Sequence, residues 1–400
     1  MKEARMANQL VKEKVAQAVG ILNELDVDIW MLVGRETSTL CDPSIPIVVG
    51  AGPTWPSAFI ITRSGEAHAI IGTGDVAQIE AGGIYTPHGY VQGWSEPLRE
   101  IITRLDPRSI ALNYSTDNDK ADGLTHGMWL NLNNALAETP YPSRFISGEP
   151  IATRVRGRKS PEERKRIAHA CEETERLFGE LTTWVQIGTT EQEIQQFLHR
   201  RCRELGYGFS WDKEYDPTVT AGDKSPIGHV GPTTNAVEKG KLLRLDFGIT
   251  IDGYSSDMQR TWYFLKDDEA DAPLPVKRDF DTVQRAIVEA FNAVRPGIPG
   301  WQVDEAAREF FTERGKEWHF GLGHQLGHVA HDGGGGFYPR WERYGEKPNE
   351  IIEAGQCYVL EIGAFVEGYG MIALEDDLEV TEDGARWFIP PQTELLLVRK

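Results

Sequence analysis

Apolar positions recur at helical spacing from Asn8 to Leu25, and a different rhythm then takes over. Short apolar runs at Ile29–Val33, Ile47–Gly50, Ala58–Thr62 and Ala67–Ile71, each ended by polar or turn-forming residues, predict strands. Residues 1–154 therefore read as a small α/β domain. A second region opens at Ser160, where a cap residue, Pro161 in the first turn and the early acids Glu162 and Glu163 predict a helix start. Thr190 with Glu193 forms a capping box for a second helix that ends near Gly206. Helical periodicity returns at Arg278–Val294, breaks at Gly297–Gly300 and resumes at Gln302–Arg314. After each helix pair the pattern becomes that of a long hairpin. The first comprises Leu242–Thr250, a turn at Ile251–Asp252–Gly253, and Tyr254–Phe264. The second comprises Cys357–Phe365, a turn around Glu367–Gly368, and Gly370–Val380. Helix, Gly-containing loop, helix, hairpin thus occurs twice, which predicts an internal pseudo-repeat in residues 155–400.

Acidic residues interrupt the apolar rhythm of both hairpins. Symmetric pairing about residues 251 and 252 places Asp246 across from Asp257, and symmetric pairing about Gly368 places Glu361 across from Glu375. Directly opposed residues share a face with Cβ atoms about 5 Å apart, where like charges are destabilising. Their neighbours Leu245, Phe247, Leu360, Ile362 and Leu374 are apolar, so water does not dissipate the repulsion. One such pair is compatible with a protonated carboxyl pair; two call for a cation. The stretch from Gly321 to Asp332 adds His324, His328 and His331, three of the chain's ten histidines. Oxygen ligands with one or two imidazoles suit Mn²⁺ first, with Co²⁺, Zn²⁺ and Fe²⁺ as alternatives. Four carboxylates exceed what one Zn²⁺ takes from a protein, and two ions about 3.5 Å apart account for the excess charge.

These residues resemble the pita-bread metallopeptidases, which include methionine aminopeptidase, aminopeptidase P and prolidase. The family's ordered ligands are Asp, Asp, His, Glu, Glu; here Asp246 lies in L-D-F-G, Asp257 in S-S-D-M, His324 in G-L-G-H, Glu361 in V-L-E-I-G and Glu375 in A-L-E-D-D. The resemblance implies an α+β fold: a C-terminal pita-bread domain with a pseudo-twofold repeat, residues 155–400, preceded by a smaller α/β domain, residues 1–154. It implies two divalent ions per chain, most simply Mn²⁺, with Asp246 on one, His324 and Glu361 on the other, and Asp257 and Glu375 bridging. Glu361 would also accept the proton of the attacking water. His229, in G-H-V-G-P, matches the family's upstream His at the scissile carbonyl, and His331 its second substrate-facing His; His328 is a further substrate-binding candidate. Every ligand position is filled, which disfavours the metal-free, creatinase-like branch. The N-terminal domain disfavours methionine aminopeptidase. The expected activity is therefore hydrolysis of Xaa-Pro dipeptides, with cleavage of longer Xaa-Pro peptides or of a small metabolite's C–N bond as alternatives. A homodimer is a further implication of the resemblance.

Two positions depart from the Xaa-Pro-cleaving branch. Its first Glu usually lies in E-P-G-x-Y, whereas Phe365 here lacks the Tyr hydroxyl, and Phe320 stands where many prolidases carry a His. A dipeptidase must also read a free carboxylate beside the scissile bond, and a guanidinium fork does this well. Arg340 and Arg343, after the Gly-rich loop, are the candidates, against the simpler reading of two solvated arginines.

Composition narrows the partners. The 400 residues are 40% hydrophobic, enough for a large core, and the net charge of −19 disfavours nucleic acid and anionic membrane surfaces. Four scattered cysteines without C-x-x-C spacing, and no apolar leader or membrane span, suggest a reducing cytoplasm. Small peptides are the expected ligands. Asp332-Gly-Gly-Gly-Gly336 lacks the Lys-Ser/Thr of a phosphate loop, and Gln325 cannot replace the general base of an H-E-x-x-H zinc helix. His68, His88, His126, His169, His199 and His319 read as ordinary, without clustered partners, and Asp376 and Asp377 as supporting or solvated acids.

Overall fold

The computed structural model describes residues 2–38, 41–226, 228 and 230–400, with side chains from residue 9 onward. The chain divides into two compact units, Met1–Arg156 and Gly157–Lys400.

The first unit is built on a six-stranded mixed sheet in the order Thr86–Tyr90, Ala67–Gly72, Ser57–Thr62, Ile29–Gly34, Ile110–Leu112, Phe145–Ser147. Its inner strands are apolar at successive positions because both faces are covered. Ile29, Met31 and Val33 pack among Leu98, Ile101, Met128 and Leu132 on one side. Trp30 and Leu32 point the other way and pack with Val11, Val15, Ala18, Ile21 and Leu22 of the helix Lys2–Glu24. One expected strand is absent: Ile45–Val48 forms a single helical turn instead. Pro46 suits the start of a helix, and a short apolar run buries Ile45, Ile47 and Val48 equally well in either conformation. A second expectation also fails. His68 and His88 meet across adjacent strands, Nδ1 to Nε2 at 3.2 Å, with Glu66 and Arg104 on the far nitrogen of His68. Sequence distance conceals this pair because a parallel crossover separates the strands.

In the second unit Ser160 and Thr190 each close a complete capping box, which starts the helices Pro161–Trp184 and Glu191–Leu205. The helices Leu274–Ala293 and Trp301–Thr312 precede the second hairpin, so the helix-helix-hairpin motif occurs twice. The second hairpin and the base of the first belong to one sheet, in the order Cys357–Val366, Gly370–Val380, Met258–Phe264, Leu242–Phe247, Thr218–Ala221. The tip of the first, Ile249–Ile251 with Tyr254–Ser255, joins Gly208–Phe209 in a separate sheet. Strand alternation then sorts the side chains. Tyr358, Leu360, Ile362 and Ala364 pack with Val276, Phe280, Val283 and Ile287 of the long helix. In the first hairpin Phe247 and Trp262 pack edge-on against Phe178, with ring centroids 5.9 and 5.8 Å away. Alternate residues, including all four hairpin carboxylates, are turned toward the opposite face. No helix among the described residues is long and apolar enough to cross a membrane.

Candidate metal centre

The two hairpins differ in pairing. Glu361 pairs directly with Glu375, as symmetry about Gly368 predicts. Asp246 pairs with Gln259 rather than Asp257. The reason is the turn. Asp252 and Gly253 both take positive φ, 50° and 78°, in a two-residue turn that pairs Ile251 with Tyr254. Centring the turn one residue later than expected moves every partner two places, and the side-chain period of two keeps Asp257 on the same face. Asp257 falls in a break between Tyr254–Ser255 and Met258–Phe264. Its N–H donates to the Asp377 carboxylate at 3.1 Å.

A single rung of the sheet consequently carries Thr218, Asp246, Gln259, Glu375 and Glu361 side by side. Asp257 stands two residues along from Gln259, and His324 comes over the rung from a separate short strand, Gly323–His324. The Glu361 N–H donates to Leu322 O at 2.8 Å and ties that segment to the sheet. One donor atom each from Asp257, His324 and Glu375 lies within 4.8 Å of the others, and all three residues are buried. His324 Nε2 is 3.7 Å from Asp257 Oδ2, while Nδ1 lies 3.3 Å from the Gln325 carbonyl, an arrangement that orients the other nitrogen toward the acids.

The electrostatics are those of a site built for cations. Burial, then repulsion from Asp246 and other acids, raises Asp257 well above the ordinary carboxylate range. Burial, then the charges of Asp257, Glu361 and Asp246, does the same to Glu375. Glu361 is pushed up to about 7 by burial and Asp246, eased by Arg244 and Gln259. Burial and then the neighbouring His331 push His324 well below its usual value, toward the neutral imidazole that ligates metals. Hard oxygen donors with one neutral imidazole fit a divalent ion of the Mn²⁺ or Zn²⁺ kind.

The centre lies in the wall of a cavity of about 470 Å³ lined by Asp246, Glu361, His324, His331 and Arg343, with Trp318, Phe320, Tyr338 and Tyr344 among its walls. His331 is exposed there, its ring stacked 4.0 Å from that of His324. His328 is placed differently: its ring lies 4.3 Å from Tyr254 and its N–H bonds Asp332. Arg343 reaches the cavity wall, donating to the His319 carbonyl and, at 3.1 Å, to the Tyr344 hydroxyl. Arg340 does not fold over the centre; it lies 4.1 Å above the Trp301 ring and lines a separate groove. His229 lies outside the described residues.

Buried polar residues surround the centre, and Asp216, Arg244 and Gln259 among them escaped the sequence reading. Asp376 and Asp377, expected as supporting or solvated acids, are fully buried and take the supporting role. Asp376 pairs with buried Arg260 at 2.7 Å, and burial raises Asp377 to about 8 beside Cys171 and the Asp257 N–H. Asp216 is buried behind the first hairpin and accepts from Ser210 N and Gly248 N. Arg244 and Gln259 stand two residues from Asp246 and Asp257, polar positions on the site face of strands otherwise rich in apolar residues. That parity was legible and is the signal that would have found them.

The profile of "Metallopeptidase family M24" matches residues 165–382. A curated Xaa-Pro dipeptidase of Lactobacillus helveticus is 28% identical over 264 residues, covering 65% of this chain and 67% of its own. Among solved structures, an Xaa-Pro dipeptidase from Bacillus anthracis superposes with a TM-score of 0.74 at 21% identity, covering 97% of this chain and 100% of its own. An X-Pro aminopeptidase from Thermotoga maritima does so with a TM-score of 0.72 at 22% identity, covering 96% and 99%. These likenesses establish the pita-bread fold of the family. With its catalytic unit spanned by the family profile and its buried acids gathered around one histidine, this chain belongs to metallopeptidase family M24 and is a metal-dependent peptidase.

Proposed function

We propose that the enzyme is a dinuclear Xaa-Pro dipeptidase, with Asp246, Asp257, His324, Glu361 and Glu375 as ligands and Mn²⁺ as the preferred ion. The observation that carries the reading is the convergence of Asp257, His324 and Glu375, with His324 also lining a peptide-sized cavity beside Asp246 and Glu361. Asp257 and Glu375, where the two hairpins meet, would be shared by the two ions; Asp246 would hold one of them and Glu361, with His324, the other. Bound divalent ions supply Lewis-acid polarisation of the scissile carbonyl and make water nucleophilic near neutral pH. Glu361 would accept the water proton at its carboxylate and return it to the leaving amine. His331 presents its ring to the substrate from the cavity wall, and His229 is assigned the stabilising contact to the developing oxyanion. The aromatic walls Trp318, Phe320, Tyr338 and Tyr344 exclude water from the reacting bond.

A free carboxylate after the scissile bond requires a cationic partner, and Arg343 with Lys347 supplies it at the cavity wall. The Lactobacillus relative, a dipeptidase by name, supports the same substrate class. The free thiols Cys41, Cys171, Cys202 and Cys357 suit a reducing cytoplasm, and the family resemblance supports a homodimer. The deciding assay is hydrolysis of Ala-Pro, Ala-Pro amide and Ala-Pro-Ala after reconstitution with Mn²⁺, Co²⁺ or Zn²⁺. Rapid cleavage of Ala-Pro alone is expected, with KM raised sharply in Arg343→Ala. Equal rates on all three substrates would reject the dipeptidase reading in favour of an aminopeptidase.

A further inference from the structure

Two polar side chains that are not candidate ligands stand on the metal-facing side of the sheet, and their hydrogen bonds converge on the ligands. Gln259 occupies the rung between Asp246 and Glu375. Its Nε2 donates to Glu375 Oε2 at 2.6 Å and reaches Glu361 Oε2 at 3.4 Å. Its Oε1 accepts from Arg244 Nε at 2.9 Å and Nη2 at 2.6 Å. The same Nη2 reaches Asp246 Oδ2 at 2.8 Å, and the Arg244 side chain is only 12% exposed. One guanidinium and one amide therefore connect three of the four hairpin carboxylates.

This arrangement is lopsided. A carboxylate oxygen engaged by an N–H donor has less to offer a metal ion, and a fixed positive charge a few ångströms away opposes a dication. Both effects fall on Asp246, which receives the guanidinium. The trio Asp257, His324 and Glu375 brings its donor atoms together with an amide, not a cation, as its polar neighbour.

We infer that Arg244 and Gln259 are positioning residues that set the affinity of the Asp246 side of the centre: an ion there must displace the guanidinium from Asp246, whereas an ion on Asp257, His324 and Glu375 need not. The inference rests on the dinuclear reading above. It also gives the metal-free protein a built-in counter-charge that keeps the rung assembled.

Calorimetric titration of Mn²⁺ into chelator-stripped, full-length protein, with stoichiometry checked by elemental analysis, tests it. Wild type should bind one ion tightly and a second at least about tenfold more weakly, the scale on which groups behind metal ligands alter affinity. Arg244→Met should tighten the second ion about tenfold and leave the first unchanged. Arg244→Lys, which keeps the charge, should retain most of the gap. Gln259→Leu removes the guanidinium's other acceptor, leaving it to Asp246, and takes the amide donor off Glu375, so it should widen the gap and test the inference even if Arg244→Met fails to fold. Two ions of equal affinity in wild type, or a gap unchanged in the Met and Leu variants, would overturn the inference while leaving the dinuclear centre intact. A single ion in every protein would instead overturn the dinuclear reading.

Discussion

The two hairpins use the same residue pattern to different ends. The Glu hairpin is regular: ten consecutive pairs run from Cys357–Glu379 to Val366–Gly370, and Glu361 faces Glu375 within them. The Asp hairpin is interrupted. Its strands pair at Ile251–Tyr254 and Thr250–Ser255, break at Gly248 and Ser256–Asp257, and resume at Phe247–Met258. Regular pairing holds two acids on one rung, where they repel. The turn centred on Asp252 and Gly253 sets Gln259 beside Asp246 in one continuous register, and the break leaves Asp257 off the ladder, beside Asp377 and His324. The lesson is that a metal centre needs convergence rather than opposition. One straight hairpin supplies a pair of acids, and one broken hairpin brings an acid around to meet them.

The comparison breaks most completely where the hairpins meet. Asp257→Asn and Glu375→Gln each take a charge from the convergent trio, and neither should retain stoichiometric Mn²⁺ or measurable turnover of Ala-Pro. Glu361→Gln, on the outer strand, should bind metal more weakly and lose about 10²–10⁴-fold in kcat, the range for removal of a general base. Asp246→Asn should spare the first ion by elemental analysis. Equal metal loss in Asp246→Asn and Asp257→Asn would show that the two acids are equivalent after all.

A pH series on chelator-stripped protein sharpens the same contrast. The unfolded chain releases its carboxylate protons near pH 4. In the folded, metal-free protein burial and mutual repulsion hold Asp257 and Glu375 well above that range, with Glu361 at about 7 and Asp377 at about 8. Between these limits the native state binds more protons than the unfolded state, so stability falls as pH rises. The melting temperature of stripped protein should therefore drop from about pH 5 to about pH 8, whereas loaded protein, with ions favouring the folded form, should not follow it. Glu375→Gln should flatten part of the slope. Parallel curves for stripped and loaded protein would mean that the acids are not a cation site.

The break itself is testable at Gly248. A Cβ there would sit 2.2 Å from Ser256 O and 2.7 Å from Ser210 Oγ, so the strand ends can approach only with glycine. Gly248→Ala should cost about 1–3 kcal/mol of unfolding free energy and displace Asp257, as overpacked substitutions do. Denaturant unfolding measures the first effect and the Mn²⁺ affinity the second. Unchanged metal binding in a destabilised variant would detach the break from the centre.

Much of this was legible in the chain. Caps at Ser160 and Thr190, the pairing of Glu361 with Glu375 and the strands of both hairpins follow from local chemistry, since caps and alternation are written within a few residues. What sequence could not resolve was turn position: Ile251–Asp252–Gly253 admits a two-residue turn at 251 and 252 or at 252 and 253, and that one-residue choice put Gln259 rather than Asp257 across from Asp246. Contacts between distant segments were also hidden, as with Arg260 and Asp376, or Lys159 and Asp332 at 3.8 Å. Between a supporting and a solvated role for Asp377 the sequence could not choose, because adjacent acids look solvated until a strand buries them on both sides.

The smallest expected effect concerns Phe365, where a Tyr would be usual in the Xaa-Pro-cleaving branch. It shares the metal-facing side of its strand with Glu361 and Gly363, yet it pairs with Met371 near the hairpin tip and is 43% exposed. A hydroxyl added to a ring so placed enters solvent more readily than a proton route, and Glu361 is the proposed proton acceptor. Phe365→Tyr should therefore change kcat on Ala-Pro by no more than about twofold, in line with the roughly 0.5 kcal/mol scale of exposed substitutions. The same comparison in a Glu361→Gln background discriminates further. If the new hydroxyl restores turnover there, the end of the straight hairpin reaches the reacting water, and the division of labour between the two hairpins must be redrawn.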